Sequence, residues 1–183
     1  MAPKETGPLR EAEERASARE VGVHNIEFLD YQDGCIEYGL PLRRDIARAI
    51  RRHRPELLLT LNHNLTFGGS HLNMADHRWV GLAVLDATRD AGNRWIFRDL
   101  LEEGLEPWDK VRMACIGGSP NPTHAVYGTQ FIDKGIDSLK QHRAYIANLG
   151  SDFNPDEFLR SGSLDTGKLF GCKNGVSFEV VWI

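Results

Sequence analysis

The stretch Asn73-Met74-Ala75-Asp76-His77-Arg78-Trp79-Val80-Gly81 places an acidic residue and a histidine side by side, where a polar loop is predicted to become a helix. A helix N-terminus offers unpaired N–H groups and a partial positive field, so we expect Asp76 to cap this helix. The adjacent imidazole of His77 can be oriented towards a metal ion or a substrate. The pair therefore marks a candidate catalytic site at the start of a helix.

The segments around this stretch alternate between short apolar runs and amphipathic helical patterns. Residues 42–53 predict a helix with one apolar face. Residues 57–61, with the sequence LLLTL, have the unbroken apolar character of a parallel strand buried on both faces. Residues 62–73 are a polar loop, and residues 76–90 predict the next helix. This order places Asp76 and His77 beyond the carboxyl end of a strand, where open α/β sheets bind ligands.

The rest of the chain continues the alternation, which implies right-handed crossovers and a mostly parallel sheet in an α/β fold. Residues 4–8 are expected to form a loop before the first helix. The other predicted elements are helices at residues 9–21 and 132–149 and strands at residues 25–29, 111–116, 124–127 and 176–183.

Composition excludes several classes of protein. The chain has 183 residues, of which 41% are hydrophobic and 26% charged, as in an ordinary globular domain. Its net charge of −4 provides no basic surface for nucleic acid or for a membrane. Cys35, Cys115 and Cys172 are widely spaced, which argues against a disulfide framework and a thiolate zinc site. With no long apolar run or signal peptide, we expect a cytoplasmic protein without nucleic-acid or membrane partners.

Four motifs occur in a recognisable order along the chain. They are an RxxE helix start at Arg10, the sequence LDYQDG at residues 29–34, a helix that ends at Arg54-Pro55, and DHRWVG at residues 76–81. This set resembles the PIG-L/LmbE family of zinc-dependent deacetylases, which remove an acetyl group from N-acetylglucosamine joined to another moiety. The likeness runs from about residue 9 to about residue 149 and implies a three-layer Rossmann-like α/β fold.

The resemblance also implies roles for individual residues. His77 matches a zinc ligand, and Asp76 matches the family's catalytic aspartate, which orients a neighbouring histidine that stabilises an oxyanion. Arg10 matches an arginine that contacts the sugar-linked substrate, and Asp33 an acidic residue that can hold sugar hydroxyls. Structural alternatives stay open: His77 bonded to Asp76 for stability alone, Arg10 as a solvated helix charge, and Asp33 as the first residue of an Asp-Gly turn.

The chain departs from the family pattern in three places. The first zinc motif of the family, AHPDDE, is absent, and with it two zinc ligands and the general base. Met74 occupies the position of the histidine that stabilises the oxyanion, and a thioether cannot donate a hydrogen bond. His142 falls in an HxSQ-like element in which Ala144 and Tyr145 replace Ser and Gln. We expect His142 to be an ordinary, partly exposed histidine.

The missing motif predicts a fold that is incomplete at its N-terminus, so that residues 1–183 form a single partial domain. A strand and its crossover to the next strand need roughly 30 residues, and no such segment precedes residue 9. We expect either a true start upstream or a degenerate copy. Loss of a central first strand would leave strand edges without partners.

Two functions remain open on these grounds. The first is zinc-dependent hydrolysis of the N-acetyl group of a small-molecule N-acetylglucosaminyl conjugate, with Zn²⁺ as the cofactor, although the 183-residue chain itself is expected to be inactive. The second is a non-catalytic remnant of the fold that binds sugar or a partner. A homo-oligomer is compatible with both. A nucleotide-binding domain is not favoured, because no GxGxxG motif or P-loop follows any predicted strand.

Overall fold

The computed structural model describes residues 3–150 and 152–183. The described residues fall into two compact units, unit 1 within Met1–Phe28 and Ala125–Val176, and unit 2 within Leu29–His124 and Ser177–Ile183. That residues 1–183 form a single partial domain stays a prediction. The helices are α1 (Pro3–Glu20), α2 (Leu40–His53), α3 (Ala75–Gly92), α4 (Asp99–Glu102), α5 (Ile132–Lys140), α6 (Arg143–Asn148) and α7 (Pro155–Phe170), and the strands are β1 (Leu57–Leu61), β2 (Thr66–Phe67), β3 (His71–Leu72), β4 (Met113–Gly117), β5 (His124–Tyr127) and β6 (Gly175–Trp182).

Unit 2 is built around the strands β1, β4 and β6, which lie side by side in that order. β1 and β4 are parallel, with Leu57 opposite Met113. β4 and β6 are antiparallel, with Met113 opposite Trp182. The predicted α/β class is therefore confirmed, with a sheet that mixes one parallel pair with an antiparallel strand.

The helices α2 and α3 pack together and cover one face of β1. Their contact is lined by small and aliphatic side chains, and Leu58 of β1 packs against the same core. Alanines in both helices leave room for the two backbones to approach closely. The buried members of this core are Ala47, Ile50, Ala87, Ala91, Leu100 and Val111.

The C-terminal end of α3 is held by two arginines of α2. The buried guanidinium of Arg51 donates hydrogen bonds to the carbonyls of Ala91 (3.1 Å) and Asn93 (2.9 Å). These carbonyls lie where a helix ends and lacks its own donors. Burial lowers the pKa of Arg51. Arg43 donates one hydrogen bond to each carboxylate oxygen of Asp90, both at 2.8 Å. The end of α3 is therefore fixed to α2 by the two donors of one guanidinium group.

The N-terminal half of α3 lies directly against the end of β1. A Cβ atom at Gly81 would stand 2.5 Å from the carbonyl oxygen of Leu61 and 3.1 Å from Cβ of His63. A glycine is therefore required at the last position of the DHRWVG motif, because no other residue permits so close a backbone approach.

One expectation for β1 is wrong. The strand was expected to be buried on both faces, yet Leu57, Leu59 and Leu61 are 47%, 65% and 44% exposed. Leu58 faces the helical core, whereas these three leucines point to the opposite face. Within the described part of unit 2, β1 also has a partner strand on one side only. An apolar strand sequence thus shows that both faces can be buried, but not that both are.

Unit 1 is mainly helical. α1 packs against α5, and α5 packs against α7, with Ile136 buried between them. The hydroxyl groups of Ser17 in α1 and Ser138 in α5 are 2.7 Å apart. The Gly128 amide donates to the Asn174 carbonyl after β5. Across residues 3–150 and 152–183, no helix is long and apolar enough to cross a membrane.

Several predicted elements of unit 1 differ from the structure. Residues 4–8 are helical, not a loop, and α1 runs through Pro8. Residues 25–29 form no strand. The single helix predicted at residues 132–149 is divided into α5 and α6. α7 was not predicted, although its start carries clear signals: the Asn154 side chain accepts from the amides of Asp156 and Glu157, and a proline opens the first turn.

The contact at Gly81 yields a stability prediction. We expect Gly81→Ala to lower the free energy of unfolding by about 1–3 kcal/mol, because the new methyl group must displace the backbone at the end of β1. Urea denaturation followed by circular dichroism measures the change.

The matched control is Gly135→Ala in α5, where a Cβ would meet nothing within 4 Å. That substitution should be neutral or stabilise by about 0.5–1 kcal/mol, since alanine suits a helix interior better than glycine. Equal effects of the two substitutions would contradict the packing argument.

Candidate active site

The first turn of α3 differs from the expected arrangement. Met74 occupies the N-cap position without a side-chain hydrogen bond, so the expectation that Asp76 caps the helix is wrong. Asp76 lies two residues after this N-cap, within the first turn. Its carboxylate, in a residue only 4% exposed, accepts a hydrogen bond from the Gly34 amide at 2.8 Å. The positive end of the helix further favours a negative charge there.

The segment LDYQDG is a loop held at two points. The Tyr31 hydroxyl donates to Asp45 of α2 at 2.8 Å, and burial together with this bond raises the pKa of Tyr31 to about 12. Three residues later, Gly34 adopts a positive φ of 77° and gives its amide to Asp76. Asp33 is exposed in the turn next to this contact. The motif therefore places the Asp33-Gly34 turn beside the start of α3.

His77 is half-buried on the first turn of α3. In the described part of the chain, no hydrogen bond joins it to Asp76, whose carboxylate accepts from the Gly34 amide. The alternative of a histidine held by Asp76 for stability is therefore not what the structure shows. The role of His77 as a metal ligand stays a prediction.

The loop between β1 and α3 is tied together by asparagine side chains. Asn73 donates to the carbonyls of Asn62 (2.7 Å) and Asn64 (3.1 Å), and Asn62 donates to the carbonyl of Thr66 at 2.8 Å. These side-chain bonds replace the backbone pairing that a loop lacks. The loop also holds His63, whose buried Nδ1 has no hydrogen-bond partner among the residues the structure describes.

Sequence reasoning missed Glu179 of β6. Its carboxylate accepts from the Ser119 hydroxyl and from the Asn64 side-chain amide at 3.4 Å. It therefore joins the loops that follow β1 and β4, at the edge of the sheet where α/β proteins place ligands. One acidic residue in an otherwise apolar terminal strand was the available signal.

The side chains around His77 do not by themselves form the zinc site that the resemblance implies. A catalytic zinc ion usually takes three protein ligands. Among residues 3–150 and 152–183, no three His, Cys, Asp or Glu side chains lie close enough together to hold a metal ion. His77 is therefore at most one member of a ligand set that these residues do not complete.

Arg10 belongs to unit 1, whereas the other three predicted site residues belong to unit 2. Its Nη1 atom is 2.7 Å from the Glu13 carboxylate and 3.1 Å from Nδ1 of His142. Its guanidinium carbon lies 4.4 Å from the centre of the Tyr145 ring. Arg10 is thus not a freely solvated helix charge, which was the alternative to a role in substrate binding. His142 was expected to be an ordinary, partly exposed histidine, but it contacts Arg10.

Three solved structures share this fold. The N,N′-diacetylchitobiose deacetylase from Pyrococcus horikoshii matches with a TM-score of 0.84 and 22% identity, over 95% of this chain and 63% of that one. The conserved protein TT1542 from Thermus thermophilus gives 0.75 and 22%, over 94% and 72%. GalB, the 4-carboxy-2-hydroxymuconate hydratase from Pseudomonas putida, gives 0.73 and 16%, over 100% and 75%. A fold shared with a hydratase does not by itself determine the reaction.

The contact between Asp76 and Gly34 yields a prediction. We expect Asp76→Ala to remove the hydrogen-exchange protection of the Gly34 amide and to cost about 1–3 kcal/mol of stability, because this amide loses a charged acceptor. Asp76→Asn keeps a carbonyl oxygen at this position and should retain most of the protection. Amide exchange followed by NMR distinguishes the two variants, and a Gly34 amide that stays protected in Asp76→Ala would refute this contact.

Comparisons of sequence agree with the motifs. A diacetylchitobiose deacetylase from Thermococcus kodakarensis is 34% identical over 160 residues, which cover 87% of this chain and 57% of that protein. The chain therefore spans a little over half the length of this relative. The family model described as PIG-L, GlcNAc-PI de-N-acetylase, matches residues 1–88, a range that contains Arg10, Asp33, Asp76 and His77. Residues 1–88 therefore match a PIG-L family domain.

Proposed function

We propose that this chain supplies all or part of a site that hydrolyses the N-acetyl group of an N-acetylglucosaminyl conjugate. The observation that carries the proposal is the first turn of α3, where Asp76 is bonded to Gly34 and leaves the half-buried His77 without a bond to it. The proposal is supported by relatives whose names describe deacetylases of diacetylchitobiose.

The chain's own residues have distinct proposed roles. Asp76 holds the Gly34 turn against α3 and so acts as a positioning residue for the exposed Asp33 carboxylate. A carboxylate in this position can accept hydrogen bonds from sugar hydroxyls. Met74 is exposed at the N-cap and has no proton to donate. We propose Zn²⁺ as the cofactor, with His77 as one ligand, although the described residues do not complete its ligand set.

A second candidate is a non-catalytic protein that binds a sugar or a partner. It is favoured by one observation, that the described ranges bring no three metal-ligating side chains together. In this case the 183-residue chain is inactive by itself, as the sequence predicts. A homo-oligomer stays a prediction under both candidates.

One measurement separates the two candidates. The hydrolase proposal predicts that the chain, joined to a segment that supplies the AHPDDE motif and incubated with Zn²⁺ and N,N′-diacetylchitobiose, releases acetate. It also predicts that His77→Ala in this extended chain lowers the rate by more than about 100-fold, because loss of a ligand should cost more than loss of a supporting group. Zinc content determined by mass spectrometry should fall in the same variant.

The control is His71→Ala, which changes an exposed histidine of β3 whose Nδ1 lies 3.4 Å from the Gly68 carbonyl and whose ring centre lies 5.9 Å from that of Phe67. It should leave both acetate release and zinc content unchanged. Acetate release that survives in His77→Ala would refute the role of His77. An extended chain with an intact His77 that binds the sugar and releases no acetate would establish the second candidate.

A further inference from the structure

A cavity of about 550 Å³ lies at the C-terminal end of α3 and is here named the α3-end cavity. His77 lies in the first turn of the same helix, about 20 Å away along the axis, because a helix rises about 1.5 Å per residue. The cavity is therefore separate from the candidate active site. Its lining residues all belong to unit 2 and include Arg89, Asp90, Arg94, Trp95, Asp109 and Val111.

The wall of the α3-end cavity that contains Asp109 is fixed to the end of α3 by backbone contacts. The Trp108 amide donates a hydrogen bond to the Ala91 carbonyl at 2.9 Å. A Cβ atom at Gly92 would stand 3.2 Å from Cβ of Asp109, so the glycine lets the two segments approach closely. The cavity is thus formed by the fold itself, before any ligand binds, as most small-molecule sites are.

Two of the four charged side chains that line the cavity are compensated by neighbouring residues. Both carboxylate oxygens of Asp90 accept hydrogen bonds from Arg43 at 2.8 Å. Arg94 donates to the Glu106 carboxylate at 2.9 Å. These two charges therefore need no partner from a ligand.

The other two charged side chains, Arg89 and Asp109, are exposed and carry opposite charges. Across residues 3–150 and 152–183, the side chains of Arg89 and Asp109 form no hydrogen bond or ion pair, either with each other or with a third residue. A guanidinium group binds a carboxylate through forked donors, and a carboxylate accepts hydrogen bonds from an ammonium group. A ligand that carries both charges would therefore satisfy both side chains.

An aromatic ring adds an apolar surface to the lining. Trp95 is 75% exposed, although most tryptophan side chains are largely buried. The Asn93 side chain accepts from the Trp95 amide at 2.9 Å and fixes the backbone at this position. Val111, which is 4% exposed, provides a second apolar part of the lining. Tryptophan is enriched among the residues that contribute most to binding, so this surface suits an apolar group of a ligand.

We infer that the α3-end cavity binds a small zwitterion with an apolar side chain, namely a free amino acid or a dipeptide. Arg89 binds its carboxylate, Asp109 binds its ammonium group, and its apolar side chain lies against Trp95. The volume suits such a ligand, because small-molecule pockets usually measure about 300–1,000 Å³. The inference does not rest on the proposed function, since the four predicted site residues lie outside this lining.

The test uses ligands that lack one charge at a time. The isotope-labelled 183-residue chain is titrated with L-leucine, L-leucyl-L-leucine, L-leucinamide and N-acetyl-L-leucine. The indole Nε1–H signal of Trp95, identified by its loss in Trp95→Phe, is followed by NMR. We expect both zwitterions to shift this signal and to bind at least about tenfold more tightly than the other two compounds, each of which loses a charge-assisted hydrogen bond. The tighter zwitterion identifies the ligand as an amino acid or a dipeptide.

Two substitutions test the charges separately. Arg89→Gln should abolish the preference for L-leucine over L-leucinamide, and Asp109→Asn should abolish the preference for L-leucine over N-acetyl-L-leucine. Both residues are exposed, so the fold should tolerate the changes, which circular dichroism verifies. The matched control is Arg112→Gln, which removes an exposed cation outside the lining and should leave all four affinities unchanged.

Three results would overturn the inference. They are no shift of the Trp95 signal by either zwitterion at millimolar concentrations, equal binding of the compounds that lack one charge, and affinities that stay the same in Arg89→Gln and Asp109→Asn. Failure of the proposed function is detected by another measurement, the absence of acetate release from the extended chain. Either result therefore leaves the other proposal standing.

Discussion

The backbone of α3 touches the end of β1 at Gly81, closely enough that any side chain there would collide with the carbonyl oxygen of Leu61. This contact determines where the first turn of the helix lies relative to the carboxyl end of the strand. At the other end of the same helix, the buried guanidinium of Arg51 binds the terminal carbonyls and anchors them to α2. A helix that is fixed at both ends holds His77 in a constant position. A side chain that binds a metal ion or a substrate must be held in this way.

The candidate site is assembled by side-chain hydrogen bonds between segments that have little regular structure. Asp76 reaches across to Gly34, Tyr31 reaches α2 at Asp45, and Asn73 closes the loop after β1. Each bond satisfies a polar group that the loops would otherwise leave unpaired. The turn that contains the exposed Asp33 is held by the bond from Gly34 to Asp76. Asp76, whose catalytic role stays a prediction, therefore also has a structural role.

The charge of Arg10 in unit 1 is compensated by the buried carboxylate of Glu13, which lies 2.7 Å away. The fold alone could not indicate such a pair, because structures with TM-scores of 0.73 to 0.84 to this chain include both a deacetylase and a hydratase. Function in this fold therefore depends on the individual side chains at the ends of its strands and helices.

The order of local patterns was sufficient for the α/β class, for the extents of α2, β1, α3 and β5 to within a few residues, and for the likeness of residues 1–88 to a PIG-L family domain. These features follow from hydrophobic periodicity and from motifs whose residues are neighbours in sequence. The exposed face of β1, the division between α5 and α6, and the partners of Asp76, Arg10 and Glu179 were decided only in the folded chain. The partners of Asp76 and Glu179 lie 42 and 60 residues away in sequence, and the buried Glu13 bonds the start of α6 131 residues away. Local patterns show which groups need a partner, whereas the tertiary structure selects that partner, because the cost of burying an unpaired polar group or charge is met only after distant segments have packed together.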